Sequence, residues 1–195
     1  ARNAAGACSR CTGRPRCPSL SATSALLSRR DVDAAAGLIR GAAVVRMPLE
    51  IPLSTALYAA RRGRSMGAAT ILNPGPARDL RGHDLSGLDY LTPNETEARV
   101  CAGLDPMGRR SHDDVAARLL GRGCRNVVIT LGEQGCRLVN KQGALTVPSF
   151  RVKAVDSVGA GDAFNAGLAV GLAEGLATVH EVGVLHRYVH QPVGV

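Results

Sequence analysis

Between residues 42 and 72 the sequence sets one long amphipathic stretch between two short apolar ones: AAVVRM, then IPLSTALYAARRGRSMG, then AATIL. The valine-rich and isoleucine-containing runs suit strands, and the middle stretch repeats its apolar positions at the three- and four-residue spacing of a helix with one buried face. Two neighbouring strands joined through a helix lie parallel, because the helix carries the chain back to the end of the sheet where it started. This unit commits the chain to an α/β fold in which helices cover a largely parallel sheet.

The rhythm continues on both sides. DVDAAAGLIRG (31 to 41) predicts a helix opened by acid and closed at glycine. LDYL (88 to 91) reads as a strand, NETEARVCAGL as a helix opened by Asn94, and SHDDVAARLLGRG as a helix capped by Ser111. NVVIT (126 to 130) reads as a buried strand, and GCRLVN and GALTVP alternate like an antiparallel pair turning at Lys141 to Gly143. A last helix is expected from near Gly161 to about Glu174.

With 195 residues, 45% of them hydrophobic, the chain has enough apolar surface for one core. Its formal charge of +8 is uneven: residues 1 to 30 hold six arginines and no acid, leaving 18 basic against 16 acidic side chains beyond them. Aromatics at 3% and no tryptophan argue against a stacking groove for nucleic acid. Residues 1 to 30 read as a basic, cysteine-containing disordered arm, 31 to 176 as the core, and 177 to 195 as a tail of different character. Cys8, Cys11 and Cys17 lack a second pair of ligands for structural zinc, and His180, His186 and His190 have only Glu181 as a nearby acid. No apolar run is long enough to span a membrane and no secretory h-region opens the chain, so a cytoplasmic protein without membrane partners is expected.

Ligands of open α/β sheets sit beyond the carboxyl ends of the strands, which selects four loops: 73 to 77, 92 to 97, 130 to 135 and 156 to 162. In VDSVGAGDAF, the small residues Gly159, Ala160 and Gly161 lead into a helix, so their amides can meet an anion such as a phosphoryl group, with Asp162 placed as a proton acceptor. The same residues equally suit close helix packing. Asn94 and Glu97 lie one helical turn apart and can orient water around Mg²⁺, or simply form a capping box. Thr130, Gly132 and Gly135 suit either a nucleotide or a tight strand-to-hairpin turn, and Glu50 is a sugar ligand or a solvated acid.

Together LEIPLSTAL, ILNPGPA, DYLTPNETEA, VVITLGEQG and VDSVGAGDAFNAGLA resemble, in order, the motifs of the ribokinase-like (PfkB) family of carbohydrate kinases. The resemblance implies a three-layer α/β sandwich with a mostly parallel central sheet and an antiparallel edge pair. It also implies transfer of a phosphoryl group from ATP to the primary hydroxyl of a small sugar, D-ribose to D-ribose 5-phosphate first among the candidates. It makes Asp162 the general base and Gly159, Ala160 and Gly161 the anion hole. Asn94 and Glu97 organise Mg²⁺, Thr130, Gly132 and Gly135 contact ATP, and Glu50 contacts the sugar. Backbone carbonyls near Asp156 and Val158 belong to a K⁺ site. The family's lid-bearing first region and adenine-covering last helices have no counterpart in residues 1 to 30 or 177 to 195. The sandwich is therefore expected to be incomplete, with an exposed sheet edge open to self-association. The alternatives to the D-ribose kinase are an inactive fragment that keeps partial nucleotide binding and a kinase for another small sugar or a nucleoside.

Overall fold

The computed structural model describes residues 24–149 and 159–175. Their helices are α1 (Arg29–Ala34), α2 (Ala36–Arg40), α3 (Leu53–Ser65), α4 (Glu95–Cys101), α5 (His112–Leu120) and α6 (Ala160–Ala173). Their strands are β1 (Val44–Pro48), β2 (Ala69–Asn73), β3 (Tyr90–Leu91), β4 (Asn126–Thr130), β5 (Cys136–Asn140) and β6 (Gly143–Val147). These form one sheet in which spatial order equals chain order. β1 to β4 run parallel, with Val44 beside Ala69 and Pro48 beside Asn73 at the two ends of the first pair. β5 and β6 add to β4 as the expected antiparallel pair.

Both faces of the sheet are covered, which explains why its central strands are apolar without alternating with polar residues. On one face Leu72, Leu91, Val127 and Ile129 join Leu57 and Ala60 of α3 and Val115 and Leu119 of α5. On the other, their chain neighbours Ile71, Tyr90 and Val128, together with Leu138, meet Phe164 and Leu168 of α6. Helix, sheet and helix form the three layers that the motif order implies.

Helix α3 approaches the sheet through its smallest side chains. Ala56 and Ala60 are fully buried. A Cβ on Gly63 would lie 3.1 Å from a Val45 methyl and 3.3 Å from that of Thr70, so glycine here lets the helix axis sit close to β1 and β2. At the far side of the same face, Arg137 of β5 forks onto both oxygens of Asp113 in α5 at 2.8 and 2.6 Å. That guanidinium holds the Asp113 carboxyl below the usual carboxylate range.

Three elements depart from the expected boundaries. The first helix starts at Arg29 rather than at Asp31, because Ser28 is its cap and Asp31 is the third residue, accepting from the Ser28 amide at 2.8 Å. It also breaks at Ala35, leaving α1 and α2 as two short pieces. Arg29, at the end of the expected arm, stands 5.5 Å over the Tyr58 ring. Strand β3 keeps only Tyr90 and Leu91, since the Asp89 amide meets the Thr70 hydroxyl at 2.9 Å as well as the Thr70 carbonyl at 3.2 Å.

Candidate active site

The carboxyl ends of β1 to β4 bring their loops together. Past β1, the Leu49 amide donates to the Asn73 carbonyl at 3.1 Å, and the Thr92 amide after β3 donates to Leu72 at 3.0 Å. The Thr130 amide reaches Pro93 at 2.9 Å, and Asn94 and Thr130 form a parallel bridge. Three of the four loops selected from the sequence thus form one continuous surface. Asp156 and Val158, expected to provide a K⁺ site, lie outside the described residues.

Asn94 and Glu97 do form a capping box. The Asn94 side chain accepts from the Glu97 amide at 2.8 Å, and Glu97 Oε2 accepts from the Asn94 amide at 2.8 Å. This uses one carboxylate oxygen. The other, Oε1, lies above Gly75, where an added Cβ would be 3.4 Å from it and 3.7 Å from Asn73 Oδ1. Two hard oxygen donors from different strand ends therefore face the same space, a donor type that suits Mg²⁺ bound through few protein ligands and several waters. Among the described residues no group of three or more His, Cys, Asp or Glu side chains is placed to hold a metal by itself. Sequence reasoning selected the loop beginning at Asn73 without singling out that side chain, although its position directly before PGP was a usable signal.

The loop after β4 separates its two glycines. Gly132 has φ 56° and nothing within 4 Å of an added Cβ, so its backbone is open to an approaching group. Gly135, at φ 95°, is closed in: an added Cβ would be 2.0 Å from the Val147 carbonyl oxygen. Gly135 serves the tight return of the chain into β5. Thr130 is half-buried, with its hydroxyl 3.5 Å from the Pro93 carbonyl.

Helix α6 begins at Gly159, which takes the left-handed φ of 81°. The first amide engaged within the helix is that of Ala163, on the Gly159 carbonyl at 2.9 Å, which leaves the amides of Ala160, Gly161 and Asp162 outside the helical ladder. Among the described residues no atom lies within 4 Å of an added Cβ on Gly159 or Gly161. The Asp162 side chain is 72% exposed and pairs with the Arg46 guanidinium from β1.

Asn165, one turn further on, is buried and fixes this helix start. Its amide donates to the Gly161 carbonyl at 2.8 Å, and its oxygen accepts from the Thr92 hydroxyl, also buried, at 2.7 Å. Sequence reasoning missed both Arg46 and Asn165. Each carried a signal: a cation inside a strand, and a carboxamide inside an apolar helix. Glu50 is exposed in the loop after β1, and no contact of its side chain joins it to Asp162.

Comparison with known proteins converges on one group. The family model described as pfkB family carbohydrate kinase matches residues 20–182. The chain is 39% identical over 142 residues to the deoxyribokinase of Salmonella typhi, covering 71% of this chain and 45% of that protein. It is 35% identical over 138 residues to the ribokinase of Staphylococcus aureus, covering 71% and 45%. Among solved structures, the ribokinase of Thermotoga maritima superposes with a TM-score of 0.72 at 30% identity, over 88% of this chain and 57% of that one. The Arabidopsis thaliana ribokinase complexed with ribose and ATP gives 0.65 at 26% identity, over 85% and 51%. The chain spans about half the length of the curated relatives it matches.

Proposed function

The chain belongs to the pfkB family of carbohydrate kinases, and from that premise we propose that it carries machinery for moving the terminal phosphoryl group of ATP to the primary hydroxyl of a pentose. D-ribose is the first candidate acceptor, and the named relatives add deoxyribose. The observation that carries this reading is the start of α6, where amides outside the helical ladder and an exposed carboxylate stand together, anchored through Asn165 to the end of β3.

In this reading Asp162 accepts the hydroxyl proton as the new oxygen–phosphorus bond forms and the bond to the ADP leaving group breaks. The amides of Ala160 and Gly161, with the positive end of α6, receive the negative charge on the transferring group. Arg46 positions the Asp162 carboxylate from β1. Thr130 and Gly132 form the nucleotide side of the surface; Gly135 supports their turn and is assigned no contact of its own. Asn94 sets the geometry of Glu97, whose Oε1, with Asn73 Oδ1, would hold Mg²⁺ through water. When bound, that ion neutralises charge on the ATP phosphates. Glu50 is assigned to the sugar side.

The domain reading, a core over residues 31 to 176 flanked by an arm and a tail, belongs to the same proposal, as does a cytoplasmic location. Among the described residues no helix is long and apolar enough to cross a membrane. The alternative is a kinase-like core that binds nucleotide without turning it over.

The test is product formation by the purified chain with D-ribose or 2-deoxy-D-ribose, ATP, Mg²⁺ and K⁺, beside Asp162→Asn. A pentose phosphate that falls by about 10²- to 10⁴-fold in the variant is the expected result. No product from chain shown to be folded sinks the active-kinase reading and leaves the second one.

A further inference from the structure

At the opposite end of the sheet, where β3 and β4 begin, Arg64, Ser86, Gly123, Arg125, Lys141 and Gln142 help to line a cleft of about 540 Å³. This volume falls within the range of small-molecule sites. Three cationic side chains from separate elements meet there: Arg64 from the end of α3, Arg125 from the turn before β4, and Lys141 from the β5–β6 turn. Two carboxylates stand beside them. Asp89, 13% exposed, has one oxygen 3.1 Å from Arg125 and 3.9 Å from Arg64, and the other accepts from the Thr70 amide and hydroxyl at 3.1 and 3.0 Å; Asp84 accepts from the Ser86 amide and hydroxyl, both at 2.9 Å.

Asn126 Oδ1 receives the Asn140 amide at 3.0 Å and the Ser86 backbone carbonyl receives Arg64, so these two acceptors are used internally, while the Gln142 carboxamide offers both an acceptor and donors. The donors are not used up. Arg125 is 61% exposed and spends one of its amino groups on Asp89. Lys141 is exposed and makes no hydrogen bond or ion pair among the described residues. An open group set made mainly of cations and donors selects an acceptor-rich, doubly charged ligand, and guanidinium and ammonium groups match the oxygens of a phosphate monoester. The buried Cys124 thiol beside the cleft is pushed up to about 12 by desolvation and donates to the Asn126 carbonyl at 3.2 Å, so the cleft offers binding and no nucleophile.

We propose that this cleft, at the far end of the sheet from Asp162, is a second site that binds a small phosphate-bearing metabolite through Arg64, Arg125 and Lys141. It does not depend on the kinase reading. The test is a titration of the ¹⁵N-labelled full chain with inorganic phosphate, glycerol 3-phosphate and adenosine 5′-monophosphate at constant ionic strength. The amides of Gly123, Arg125 and Gln142 should shift in a saturable way. Arg125→Gln combined with Lys141→Gln, both at exposed positions, should weaken this response by about tenfold or more, the loss of at least one charge-assisted hydrogen bond. Asp162→Asn should leave it in place. Esters that bind more tightly than inorganic phosphate assign the site to a metabolite, and equal affinities assign it to the phosphate group alone; both support the shared chemistry. Unmoved amides or an undiminished response in the double variant would overturn it.

Discussion

Glu97 divides its carboxylate between two tasks: one oxygen caps α4 and the other faces Asn73 across Gly75. Glutamine at the same place can still accept at the cap, so Glu97→Gln should change unfolding free energy by less than about 0.5 kcal/mol in a urea titration. Its neutral amide is a poorer partner for a hydrated cation. The Mg²⁺ concentration needed for half-maximal product formation should therefore rise by about tenfold or more. A fall in stability with an unchanged Mg²⁺ requirement would assign Glu97 to the cap alone. The buried thiols permit a prediction free of any assumption about activity. Burial pushes Cys101 and Cys124 up to about 12 and Cys136 to about 11. At about pH 8 none of the three should react with iodoacetamide in the folded chain, and all should react in denaturant, as peptide mass mapping would read. Because folding holds these protons more tightly than the unfolded chain does, their contribution to stability is intact below the ordinary thiol value of 9.0 and falls as pH rises towards the folded values. A urea midpoint that declines from about pH 9 upward is the expected sign.

At the level of elements, the decisive contact is the buried bond between Thr92 and Asn165 at 2.7 Å. Asn165→Ala removes both of that side chain's bonds and leaves the Thr92 hydroxyl with only its longer bond to the Leu72 carbonyl at 3.3 Å. Unfolding free energy should fall by about 1 to 3 kcal/mol. Amide exchange at the start of α6 should quicken more than exchange in β4. Equal protection in the variant would show that the helix start is held some other way. This contact also marks where sequence reasoning stops. Local signals located α3, β4 and the β5–β6 pair, because apolar spacing and a glycine-bearing turn act over a few residues. The capping of α4 and α5 by Asn94 and Ser111 was equally local. The start of α1 was misplaced because Asp31 reads as a cap until Ser28 is seen to take that role. Arg46 with Asp162, and Thr92 with Asn165, join residues 116 and 73 positions apart, and no local pattern specifies such a meeting. The motifs marked the α6 start as special, yet the anchoring that holds it against the sheet appears only in three dimensions.

For the molecule as a whole, the two ends of the sheet differ in character. The carboxyl end presents the candidate phosphoryl-transfer surface, and the amino end gathers Arg64, Arg125 and Lys141. Along its outer side β1 has no neighbouring strand among the described residues, which makes it an edge of the sheet they form. Self-association through that edge is the expected consequence. Sedimentation velocity across a concentration series should show an average mass rising above that of one chain, whereas a single concentration-independent monomer would show that the edge is protected. The sheet's plain order carries a further consequence. A sheet whose neighbours in space are neighbours in the chain can be assembled strand by strand as the polypeptide leaves the ribosome, each new strand finding its partner already in place. The helix bearing Asp162 is the last of the described elements to be synthesised. A nascent chain would therefore complete the described sheet before acquiring Asp162 and the helix that carries it.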